Sequence, residues 1–143
     1  MATVRGALVK KHLLAILGYV VATFVTQAIS HFVLFKDHYA AVPYLKAEPV
    51  FALGFLSMIV QGTILSVVYA GSRFRDGSML GAMKLSWLLG AFLVSYIGLA
   101  EAAKYTVPAI PSWIGVEFLS GAIQFTLAGA FLALSHRLGS TTA

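Results

Sequence analysis

The sequence predicts an all-α fold, a transmembrane four-helix bundle built from two similar helical hairpins. The hairpins form a parallel internal repeat, with both termini on the cytoplasmic side. Three observations carry that expectation. The 143-residue chain is 59% hydrophobic and 10% charged, with a mean hydropathy of +0.88, whereas soluble domains carry about 25% charged residues. Its apolar residues gather into four runs, each close to the roughly 20 residues a helix needs to cross hydrocarbon. Polar connections separate the runs, and the two halves share a spaced set of polar residues.

The first run covers residues 13–35. It is too long for a signal-peptide core and no small-x-small cleavage site comes after it, so it is expected to be retained. Lys36, Asp37 and His38 open the next connection, and Glu48 with Pro49 closes it. The second run, 50–70, ends in the turn Ser72-Arg73-Phe74-Arg75-Asp76-Gly77-Ser78, whose last residue is expected to cap the third helix. The third run covers 79–103. Pro108 and Pro111 punctuate the third connection, and Ser112 is expected to cap the fourth run, 113–135. Backbone facing lipid must satisfy its hydrogen bonds within its own segment, which makes these runs helices. The alternating segments of about ten residues that a membrane barrel needs are absent.

Orientation comes from the basic residues. Arg5, Lys10, Lys11, Arg73, Arg75 and Arg137 fall on one side, and Lys36, Lys46 and Lys104 on the other. The majority side is expected to be cytoplasmic.

The repeat rests on two alignments. Residues 55–63, Phe-Leu-Ser-Met-Ile-Val-Gln-Gly-Thr, match 118–126, Phe-Leu-Ser-Gly-Ala-Ile-Gln-Phe-Thr, in their Phe, Leu, Ser, Gln and Thr. Leu17-Gly18, Thr23-Phe24 and Ala28 match Leu89-Gly90, Ser95-Tyr96 and Ala100. A Ser-x-x-x-Gln-x-Thr spacing is harder to reach by chance than shared Leu or Ala. The halves, roughly 12–72 and 78–137, would then be related by an axis along the membrane normal. The whole chain forms one transmembrane domain.

Composition excludes several chemistries. There is no cysteine, hence no disulfide, thiolate metal site or thiol redox chemistry. The net charge of +5 is scattered at the ends of apolar runs and fits membrane orientation, not nucleic acid. No phosphate-binding glycine loop, nucleophile elbow or His-Glu-x-x-His is present, so an enzyme ranks last, and no cofactor is expected.

Amide and ionisable side chains within a span are costly and tend to face the bundle interior. Gln61 and Gln124 rank first, at equivalent repeat positions near mid-membrane, with Ser57 and Ser120 one turn further out. Gln27 and His31 are i and i+4 and share a face. Glu101 and Glu117 lie at the outer ends of the third and fourth runs, and Glu117, Ser120 and Gln124 form one stripe. These residues read either as a ligand site or as hydrogen-bond glue between helices. Glu101 has a plain partner in Lys104, and Lys84 can snorkel to the headgroups. A metal held by His31 and the two glutamates, and a haem between His12 and His136, are the weakest readings, and none is expected. Phe35, Tyr39, Tyr44, Tyr105 and Trp113 fit an interfacial aromatic belt. Gly18, Ala22, Gly90, Gly98, Gly121 and Gly129 allow close helix approach.

The stretches His31-Phe32-Val33-Leu34-Phe35-Lys36-Asp37, Ala47-Glu48-Pro49, Leu56-Ser57 with Gln61-Gly62, Ala102-Ala103-Lys104, and Gln124-Phe125 with Ala128-Gly129 carry a resemblance over most of the chain. It resembles an uncharacterised bacterial family of small four-span inner-membrane proteins. The resemblance implies a bacterial inner membrane and brings no activity. The leading expectation is thus a small multi-pass membrane protein whose polar interior binds or passes a small solute, ion or lipid. The alternative is an accessory subunit, packed against other membrane subunits or its own copies in the lipid bilayer.

Overall fold

The computed structural model describes residues 2–46 and 48–138, the side chains of residues 2–5 excepted. Arg5, one of the cations that set the orientation, and Ala47, part of the resemblance, therefore lie outside the described side chains and residues. The described chain is helical, with the order α1 (Ala2–Ile29), a π-helical segment π1 (Ser30–Leu34), α2 (Lys36–Ala40), α3 (Phe51–Gly71), α4 (Met79–Ser95), π2 (Tyr96–Glu101), α5 (Ala102–Lys104) and α6 (Ile110–Leu138). These give four apolar spans: Gly6–Leu34, Phe51–Gly71, Met79–Lys104 and Ile110–Leu138. The protein is thus an integral, multi-pass membrane protein of all-α fold.

Contacts at each end show that consecutive spans run antiparallel. At the basal end, where the first span begins and the fourth ends, Arg137 donates to the Gly77 carbonyl at 3.1 Å and the rings of His12 and His136 meet edge to face at 6.0 Å. At the distal end the Trp113 indole donates to the Ile97 carbonyl at 3.1 Å, and Tyr44 packs on Tyr105 at 5.1 Å.

The spans do not form a square. The first and fourth pack along their lengths as a central pair, the second lies against the first, and the third against the fourth. The second and third, although joined by the short basal turn, touch only sparsely. Half of the fourth span's most apolar stretch is buried inside the protein, against 17% for the second, so the fourth span is the hub and lipid must cover most of the second.

Glycine explains how closely the fourth span packs on the third and the first. A Cβ on Gly129 would fall 2.8 Å from the Met83 Cα, which is backbone and cannot turn aside. A Cβ on Gly18 would fall 2.6 Å from the Phe131 Cβ. Without a hydrophobic driving force between helices in lipid, such backbone approach is what lets dispersion hold them. Below mid-depth the core is dense: Tyr19, Leu65, Tyr69, Leu85 and Leu132 are essentially inaccessible.

Local signals behave unevenly. Ser78 caps the third span as expected, extended at φ −84° and ψ 153°, with its hydroxyl accepting from the Gly81 N–H at 2.8 Å. Ser112 does not cap the fourth. That helix starts at Ile110, because Pro111 has the fixed φ and missing N–H that suit a first turn. The Ser112 hydroxyl instead lies 3.4 Å from the His38 Nδ1. Each odd-numbered span ends distally in a π segment and then a short helix, a feature common to both hairpins. The central contact of the first and fourth spans has no equally close counterpart between the third and second.

Candidate functional site

The sparse meeting of the second and third spans leaves a crevice, floored by the first and fourth. Its volume is about 220 Å3, and Gln27, Gln61, Gln124 and Glu117 all line it. Depth is set by the helices. Gln61 is the central residue of Phe51–Gly71 and Gln124 that of Ile110–Leu138, so both carboxamides lie near the bilayer midplane.

A chain of hydrogen bonds ties these groups together. Gln61 Nε2 donates to the Ser57 hydroxyl at 3.0 Å, and its Oε1 accepts from the Tyr19 phenol at 2.7 Å. The Tyr19 oxygen accepts in turn from Gln124 Nε2 at 3.4 Å. Gln27 Nε2 donates to the Gln124 Oε1 at 2.8 Å. Five side chains from three spans thus form one path, with Tyr19, 2% exposed, joining the two glutamines of the expected repeat. Helical spacing places them so: Tyr19, Thr23 and Gln27 stand at i, i+4 and i+8 on the first span, and Glu117, Ser120 and Gln124 at i, i+3 and i+7 on the fourth. Ser120, on the same stripe, bonds Ser30 at 2.8 Å.

Tyr39 anchors the distal end of the bundle. The connection folds back through α2, burying Tyr39 and Val42 beside Ala102, Trp113 and Val116. The Tyr39 hydroxyl donates to the Glu117 Oε1 at 2.8 Å. Its ring lies flat against the imidazole of His31, with centroids 3.6 Å apart and planes 11° from parallel. Burial, reinforced by the charge of Glu117, pushes the Tyr39 phenol well above its ordinary value. It therefore stays a proton donor to that carboxyl. Tyr39 and Trp113 are buried, so they are not belt residues, whereas Tyr44 and Tyr105 are exposed as a belt requires.

His31 and Glu101 do not line the crevice. The His31 Nδ1–H donates to the Gln27 carbonyl at 3.1 Å, since a carbonyl can only accept, and the ring also stacks on Tyr39. Glu101 sits half-buried in π2. Its expected partner turns elsewhere: the Lys104 ammonium lies 4.9 Å above the Tyr96 ring and 3.4 Å from its hydroxyl. Among the described residues no three His, Cys, Asp or Glu side chains are grouped to hold a metal. His12 bonds Ser66 at 2.8 Å, and its ring meets that of His136 edge to face, not across a cofactor-sized gap.

Sequence reasoning missed Tyr19 and placed Tyr39 wrongly. Tyr19 was legible as the residue sharing a helical face with Thr23 and Gln27. Chemically the crevice offers paired donors and acceptors from carboxamides, hydroxyls and one carboxyl. No family model, curated protein or solved structure matches the chain. The site's own geometry must carry the functional reading.

Proposed function

We propose that the protein is a bacterial inner-membrane binding protein with cytoplasmic termini, and that the crevice holds a small solute or lipid head rich in amide, carbonyl or hydroxyl groups. One observation carries this: four side chains of types that are costly in lipid, Gln27, Gln61, Glu117 and Gln124, surround a single cavity. Helix glue needs only paired partners. Here Gln61 is half-exposed and Ser57 exposed, so both present hydrogen-bonding capacity to a space able to take a ligand. The duplication suggested by the sequence fits a site built on two glutamines. Binding is favoured over passage because the Tyr19, Leu65, Tyr69 and Leu132 layer closes the basal half.

The test is native mass spectrometry of the protein in lipid nanodiscs. Gly54 lines the crevice, and a Cβ there meets nothing within 4 Å, so Gly54→Phe fills the space without a backbone clash. Wild type is expected to carry a small-molecule adduct that Gly54→Phe and the Gln61→Leu/Gln124→Leu pair lose while remaining folded. A bare wild type, or an adduct retained by both variants, overturns the reading.

A second reading rests on the second span. Nearly every residue of 51–60 is exposed, leaving room for a partner subunit's helix beside the crevice. Recovery of a stoichiometric membrane partner on gentle extraction, lost on exchange of Leu53 and Leu56 for Ala, would favour this accessory role.

A further inference from the structure

The crevice carries its polar groups at two depths. Glu117 precedes Gln124 by two turns on the fourth span, which sets the carboxyl about 10 Å distal to the carboxamides. Leu93, Val94 and Ile97 of the third span line the same space between them. A volume of about 220 Å3 drawn out over that length is about 20 Å2 across, the girth of one unbranched carbon chain.

The distal group lacks a cation. Glu117 is 8% exposed, and its Oε1 accepts from the neutral Tyr39 phenol. No Lys, Arg or His is among the described residues that line the crevice. The carboxyl of Glu101 adds a like charge, and the Lys104 ammonium beside it is turned to Tyr96. His31 is held by the Gln27 carbonyl and by its stack on Tyr39. A carboxylate without a counter-charge is costly within a span, and an ammonium hydrogen-bonded to it offsets that cost. Gln61 sets the inner end. Its Oε1 accepts from Tyr19 and one N–H goes to Ser57, which leaves the second N–H for an acceptor.

We propose that the crevice ligand is a linear ammonium compound, its cation on Glu117 and an oxygen at its far end on Gln61. The ammonium belongs to a free solute or to an aminophospholipid head. This rests on the crevice being a binding site and narrows its ligand to a cation. The experiment is calorimetric titration of the full chain in phosphatidylcholine nanodiscs, with empty discs subtracted. The probes are aminohexanol, with an ammonium and a hydroxyl on one straight stem, and hexanediol, its neutral counterpart. In wild type aminohexanol is expected to bind at least about tenfold tighter, the scale of a hydrogen bond to a charged group. Glu117→Gln keeps an acceptor for Tyr39 and should erase that preference while hexanediol still binds. Glu48→Gln, in the distal connection, should preserve it, and Gly54→Phe should abolish binding of both probes. Phosphatidylethanolamine in the bilayer separates the sources: competition with aminohexanol identifies a lipid head, and its absence a free solute. Equal affinities in wild type, both lost in Gly54→Phe, overturn the cationic ligand and leave the crevice standing as a site. A preference that survives Glu117→Gln also overturns it, and binding that survives Gly54→Phe overturns the crevice itself. If neither probe binds wild type, the proposal falls, and the adduct seen by mass spectrometry decides the crevice separately. Should Glu117→Gln not assemble, the wild-type ratio of the two probes still decides.

Discussion

Tyr19→Phe isolates the hydrogen-bond chain, because it removes one oxygen and leaves the ring in place. Tyr19 is 2% exposed, and its ring packs against Phe125 with centroids 6.1 Å apart, so the variant creates no cavity. Two bonds disappear, the short one to Gln61 at 2.7 Å and the long one from Gln124 at 3.4 Å. Interhelical hydrogen bonds in membranes average about 0.6 kcal/mol and reach about 1.7, because the unfolded chain in lipid also finds partners. The short bond belongs in the upper part of that range and the long one near its bottom. The expected loss is about 1 kcal/mol, a roughly fivefold change in the unfolding equilibrium. Titration of bilayer-like micelles with a denaturing detergent measures it. A double-mutant cycle with Gln61→Leu should return a coupling of about 0.5–1 kcal/mol, since each change removes the same bond. If Tyr19→Phe is neutral within about 0.3 kcal/mol and the cycle is additive, the oxygen does not bridge the spans.

The same geometry sets the outcome of other perturbations. Gly129→Val drives a side chain into the Met83 backbone and should cost about 1–3 kcal/mol by parting the third and fourth spans. Gly54→Ala meets open space and should be neutral or stabilise by up to about 1 kcal/mol in the same titration. Tyr39→Phe strips Glu117 of the phenol that donates to it at 2.8 Å and should cost about 1–3 kcal/mol, with faster hydrogen exchange in α2 as the local readout. Asp76 is held below its ordinary value by the hydroxyl and then the N–H of Ser78. A carboxylate with a lowered folded value contributes stability above the unfolded value, here near 3.8, and loses it as pH falls through the folded one. The protection of the basal-turn amides, relative to their intrinsic exchange rate at each pH, should therefore fall on acidification below that point, and Asp76→Asn should abolish the dependence.

Much of the architecture was legible because lipid leaves few options. Four apolar runs with polar connections can only be helices, and Ser78 could be recognised as a cap from its place before Met79. Gln27, Gln61, Gln124 and Glu117 stood out because amides and acids are expensive in a span. The pairing order was not legible. It depends on which glycine meets which side chain, Gly129 on Met83 and Gly18 on Phe131, and all four spans offer small residues. Tyr39 was misplaced because an aromatic residue beyond a span reads as a belt anchor. Its actual position depends on π1 and α2 turning the connection back over the bundle. His31 and Glu101 looked like members of one cluster by depth alone, but the stack on Tyr39 and the turn of Lys104 toward Tyr96 separate their roles.

The functional reading depends above all on a polar crevice between the second and third spans, open to small molecules at mid-depth. The native chain has no cysteine, so a single Ser57→Cys reports on it directly in intact membranes. Reaction with a small, water-soluble thiol reagent is expected at a rate within about tenfold of that for Ser72→Cys in the basal turn, and Gly54→Phe should slow it by about tenfold or more. A thiol at position 57 that stays unreactive toward the polar reagent, or that reacts at the same rate with Gly54→Phe in place, would contradict the crevice and the function built on it.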